Sequence, residues 1–219
     1  MADEIDPKAP LFFLSYAHVA EGHEQYGRPQ ERNQLVIEFF DHLSENVAYL
    51  VSRPAGADPG YLDRSIAGGA HWTRELLEAI GTCQIFVALL SAPYFTSPWC
   101  GKEWHAFSQR KVISKASGKS DNQTAIIPVV WAPVPIDQSP AIVNRVQRFS
   151  PSGLPDVNVA KLYKDNGIVG LLRMGEDVAY QTVVWRLAQH IAKFHYSHRV
   201  KPRKFRERNL RNVFLEQSK

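Results

Sequence analysis

Three short apolar runs constrain this chain more than any other feature: "LFFLSYA" at residues 11–17, "QIFVALLS" at 84–91 and "AIIPVVWAPV" at 125–134. None of them alternates apolar with polar residues, as a strand with one wet face would. They read as strands covered on both sides, and sheets of that kind are built from parallel strands joined by helical crossovers. The intervening sequence supplies such helices. Residues 34–49 set Leu35, Phe39, Leu43 and Val47 four apart on one face, and residues 73–82 repeat the pattern with Leu76, Leu77 and Ile80.

Alternation of this kind predicts an α/β fold: a flavodoxin-like, doubly wound, mostly parallel sheet of about five strands with helices on both faces. The Gly- and Pro-rich connector between residues 52 and 72 reads as a loop with a short strand around Tyr61 and Leu62. Residues 133–156 read as an irregular excursion, "GIVGLLRM" as a last, weaker strand, and residues 178–194 as a closing helix. The expected organisation is a lead over 1–9, one domain over 10–195 and a basic tail over 196–219. In such sheets, sites form in the loops at the carboxyl ends of the strands.

With 44 % hydrophobic residues in 219, the chain can bury a sizeable core. Its cysteines, Cys83 and Cys100, are too few for a disulfide framework and lack a Cys-x-x-Cys spacing, so they suggest neither a zinc site nor a redox motif. The opening "MADEIDPKAP" has no export-signal pattern, and the apolar runs are about half the roughly 20 residues of a membrane span. A cytoplasmic protein without a membrane partner is expected. Charge is unevenly placed: residues 196–219 hold eight Lys or Arg and two Glu, a net of +6, against +4 for the whole chain. The remainder is mildly acidic. An acidic or nucleic-acid partner would suit that tail, although such runs are commonly just solvated.

One carboxylate stands out. In "SPWCGKEWHAF", at residues 97–107, Glu103 is set among Trp99, Cys100, Trp104, His105 and Phe107. Ser97 followed by Pro98 is a strong helix start. Helical geometry then puts Trp99 one turn before Glu103, with Cys100, Trp104 and Phe107 on a stripe facing the sheet. Glu103 falls at the margin of the core, near the carboxyl ends of the strands. A carboxylate shielded by an indole interacts more strongly with a cation brought beside it, so a positively charged ligand would suit the position. His18, His71 and His105 share no metal-ligand spacing, and no metal is expected.

The segments "FFLSYA", "YLDRSIAGG" and "LLSAPYFTSPWCGKEW", in that order, resemble the three motif regions of Toll/interleukin-1 receptor (TIR) domains, over roughly residues 10–110. "GKEWHAF" and "VVWAPV" are most similar to bacterial TIR-like proteins. The resemblance implies that Glu103 assists cleavage of the nicotinamide–ribose bond of NAD, a substrate and not a cofactor, and that Trp99 stacks on the nicotinamide. It further implies Ser15 and Tyr16 at the ribose side of the pocket. Asp63, Arg64 and Gly69 would lie in the connector that relatives use for ligand gating and assembly. Many relatives carry a basic residue directly after the Ser-Tyr pair, where this chain has Ala17 and His18.

The expected activity is therefore an NAD glycohydrolase giving nicotinamide and ADP-ribose or a cyclic isomer. The resemblance also implies self-association through TIR surfaces and, by analogy, a part in anti-phage defence. Two other readings stand beside it: a non-catalytic TIR interaction module, and a nucleotide N-ribosyl transferase with another leaving base.

Overall fold

In a computed structural model, which describes residues 6–18, 29–62, 74–151 and 157–215, the three apolar runs become neighbouring parallel strands. In chain order the elements are β1 (Phe12–Ser15), α1 (Pro29–Leu50), β2 (Gly60–Leu62), α2 (Arg74–Thr82), β3 (Ile85–Leu90), α3 (Ala92–Thr96), α4 (Pro98–Ser108), β4 (Val112–Ser114), β5 (Ser120–Asp121), β6 (Ile126–Val130), α5 (Ala141–Asn144), α6 (Val157–Met174), α7 (Asp177–Ser197) and β7 (His198–Val200). The main sheet has the order β2-β1-β3-β6, all parallel, with Ser15 opposite Ala88 at the carboxyl end.

Strand alternation divides the core into two layers. Phe13 and Ser15 share a face with their partners Phe86 and Ala88, and Phe86 packs against Trp104 and Phe107 of α4. Phe12 faces the other way, against Phe40 of α1, and α7 packs on both α1 and α6 behind it. The outer strand β6 contains Pro128, which has no N–H for a ladder. Its carbonyl accepts from Phe149 N on the open edge (2.7 Å), so the missing donor also faces outward and no bond to β3 is lost.

Among the described residues the parallel sheet has four strands. "GIVGLLRM", expected as a further strand, is the second half of α6, because Ile168 and Leu171, three apart, are both fully buried on one helical side. A break at Gly167, with φ of 65°, lets Val169 N donate to Trp131 O at 3.0 Å. An added Cβ there would stand 2.6 Å from that same carbonyl. Gly167→Ala is expected to cost about 1–3 kcal/mol in urea denaturation, from the left-handed backbone and the collision together.

A second, antiparallel sheet joins β4 to β5 and to β7. The segment that follows β7 differs from the solvated tail its charge suggests. Lys201 N donates to Lys111 O, Arg203 N to Gly81 O, and Arg211 N to His105 Nδ1. Leu210, Val213 and Phe214 are buried, and Phe214 packs its ring against Tyr94, Phe95 and Trp104. Arg110 ties this segment to the end of α2, donating to Ile80 O, Cys83 O and Lys201 O at 3.0, 2.5 and 3.1 Å. The basic stretch is thus a strap across α2 and α4. Among the described residues, no helix is long and apolar enough to cross a membrane.

Candidate active site

Glu103 is positioned by two strong local signals. Ser97 caps α4 through its Oγ, which accepts from Cys100 N at 3.3 Å, and Pro98 occupies the first turn. One turn and a half later the Glu103 side chain lies under the carboxyl end of β1, with 8 % of its surface exposed. Its Oε2 accepts from Ser15 Oγ at 2.5 Å, and the same Oγ lies 3.0 Å from Tyr94 Oη. Since Ser15 has only one proton and gives it to the carboxylate, Tyr94 must donate to Ser15. The result is a buried relay, Tyr94 to Ser15 to Glu103, drawn from α3, β1 and α4.

The groups around the carboxylate remain neutral. Burial, with the negative charge of Glu103 adding to it, holds the Cys100 thiol well above its usual range. The same causes, burial first, raise the Tyr94 hydroxyl. Cys100 Sγ also donates to Tyr16 O at 3.4 Å, so it is a packing group and not a nucleophile.

Tyr16 follows Ser15 and turns to the opposite side of β1, beside His18 at 4.1 Å between ring centroids. There it lines a cavity of about 230 Å³ at the carboxyl ends of β1, β3 and β6, together with Asn33, Ser91, Trp131, Val169 and Arg173. Serine and tyrosine, adjacent in sequence, therefore face two compartments: the carboxylate on the α4 side and the cavity on the α1 and α6 side. Trp99 is 38 % exposed, one turn before the buried Glu103, and carries the Lys102 ammonium over its ring at 4.7 Å. Lys102 also reaches Glu207 of the strap at 3.7 Å. Asp63, Arg64 and Gly69 lie outside the described residues.

The sequence matches the TIR domain family over residues 12–162, from β1 into α6. This chain belongs to the TIR domain family. A comparison with curated proteins finds no match. The family includes NAD-cleaving enzymes as well as non-catalytic adaptors, and TIR domains commonly self-associate. The matched span of this TIR domain contains Ser15, Tyr16, Trp99 and Glu103 and stops short of Arg173.

Sequence reasoning missed Tyr94, Asn33, Trp131 and Arg173. Tyr94 had one signal, its place after Ser91, whose Oγ accepts from Tyr94 N and starts α3. Nothing in the spacing of Arg173 points to the cavity, because the break at Gly167 is what turns that end of α6 toward it. No group of three or more His, Cys, Asp or Glu among the described residues could hold a metal ion.

Proposed function

We propose that this TIR domain cleaves the nicotinamide–ribose bond of NAD, with Glu103 as the catalytic carboxylate. The observation that carries the reading is the Ser15–Glu103 hydrogen bond, which fixes a buried acidic group at the strand ends where α/β folds place ligands. In the reaction, the bond from C1′ to the pyridinium nitrogen breaks and its electron pair leaves with the ring, so nicotinamide departs neutral. No proton needs to be delivered to it. The ribose is left with oxocarbenium character, which a fixed carboxylate stabilises most where water is excluded. Water then attacks C1′ and loses a proton, giving ADP-ribose; attack by a nitrogen of the adenine instead gives a cyclic isomer.

On this reading the reacting ribose lies over Ser15 and Glu103, and the rest of the dinucleotide crosses the end of β1 into the cavity. Tyr16 and Trp131 offer aromatic surface there, and the exposed Arg173 offers a cation to the diphosphate. Arg173→Gln is accordingly expected to raise KM about tenfold and to leave kcat nearly unchanged, because a contact to the unreacting diphosphate contributes equally to ground and transition states. Steady-state kinetics with NAD checks it.

The direct test is incubation of the protein with NAD across a range of protein concentrations, with nicotinamide measured by chromatography. Release that rises more steeply than protein concentration supports cleavage by an assembled form, as the family's self-association and the analogy with defence signalling suggest. Assembly without nicotinamide release would leave an interaction module. Release of a different base from other nucleotides would identify an N-ribosyl transferase.

A further inference from the structure

The strap that follows β7 concentrates positive charge on a fixed surface. Between Lys201 and Arg211 it carries four Arg, two Lys and a single acidic residue, Glu207, which Lys102 already engages. Asp121, on the neighbouring strand β5, is paired with His198 at 3.1 Å. The backbone is held by bonds to Lys111 O and Gly81 O, and Arg203 is further fixed by donation to Gln109 O at 3.0 Å. The backbone that carries these cations is therefore already ordered, and a ligand would not have to order a disordered tail in order to bind.

The same segment encloses a cavity of about 200 Å³, walled by Arg203, Lys204, Phe205, Arg206 and Asn209. That is below the roughly 300–1,000 Å³ of a pocket for a whole small ligand, so it suits one unit of a longer chain. Phe205 is half-buried, with the Arg203 guanidinium 5.6 Å from its ring centroid, which places a flat apolar wall and a cation together. Aromatic surface inside a basic groove is the chemistry that holds single strands, by base stacking along with phosphate neutralisation. The preponderance of Arg favours phosphate, whose oxygens match the planar guanidinium fork.

We propose that the strap binds single-stranded nucleic acid, its phosphates running along Arg203, Lys204, Arg206 and Arg208 and one base entering the cavity beside Phe205. The cavity beside Phe205 shares no lining residue with the cavity beside Tyr16, and the proposal does not depend on NAD cleavage.

The test is fluorescence anisotropy of a labelled thymidine oligonucleotide of roughly 20 nucleotides, titrated with the full chain at several salt concentrations. Binding should weaken steeply with salt. The double change Lys204→Glu with Arg206→Glu alters two exposed side chains, and it should reduce affinity at least about tenfold. Lost contacts to two phosphates should also make the plot of log K against log salt shallower by about 1.4. Phe205→Leu keeps the cavity apolar and removes the stacking face; it should weaken binding about fivefold or more with the salt slope unchanged. Circular dichroism of both variants checks that they keep the fold. The proposal is overturned if the oligonucleotide does not bind at low salt, or if folded variants bind as the parent does. It is equally overturned if polyglutamate or anionic vesicles displace the probe as well as unlabelled oligonucleotide, which would indicate an acidic protein or a membrane surface instead.

Discussion

Replacing Glu103 with alanine is expected to lower nicotinamide release from NAD about 100-fold or more while the protein stays folded. The magnitude follows from removing one preorganised electrostatic group from a water-poor site, which commonly costs a factor of about 10² to 10³ in rate. Folding should survive because Ser15 Oγ and Tyr94 Oη keep their mutual hydrogen bond at 3.0 Å, and the one O–H left without its acceptor costs only about 1–3 kcal/mol. Glu103→Gln separates charge from shape. Its amide oxygen can still accept from Ser15, so a comparable loss of activity in that variant assigns the effect to the negative charge and not to a packing change. Ser15→Ala keeps the charge but removes the donor that aims it, and a loss of about tenfold is expected. All three are read by initial rates of nicotinamide release, alongside thermal melts. Near-parental rates in the alanine and glutamine variants would remove Glu103 from the chemistry.

Phe214→Ala is expected to destabilise the domain by about 3–5 kcal/mol, the usual range for deleting a buried aromatic ring. The ring is 95 % removed from solvent and lies 5.6–6.2 Å, centroid to centroid, from Tyr94, Phe95 and Trp104. All three partners sit on α3 and α4, and two of them adjoin the candidate site: Tyr94 donates to Ser15, and Trp104 follows Glu103. Urea denaturation measures the loss, and a mid-transition shift without a change in slope would show that cooperative unfolding is retained. An effect below about 1 kcal/mol would mean that the strap is not integral to the core.

The scaffold was legible because its signals are local. β1, β3 and β6 each announce themselves by an unbroken apolar run, and α4 by Ser97 and Pro98. "GIVGLLRM" misled because a short apolar run fits a strand or a buried helix equally well, and only its docking on Trp131 decides between them. Glu103 was legible as a carboxylate in apolar company. Its partners were less so: Tyr94 is 79 residues from Ser15, and no periodicity connects them. The strap was hidden by its own charge. Leu210, Val213 and Phe214 are spaced among Arg, Asn and Glu, so composition reports solvent while three side chains report burial.

The strap's place in the chain also bears on how the protein is made. Residues 201–214 leave the ribosome long after α4 does, so Tyr94, Phe95 and Trp104 remain uncovered through much of synthesis. Contacts so distant in sequence form slowly, and the helix that carries Glu103 is the part left waiting. A nascent chain interrupted before Phe214 would therefore hold every motif residue of the site and still lack the packing that sets them in place.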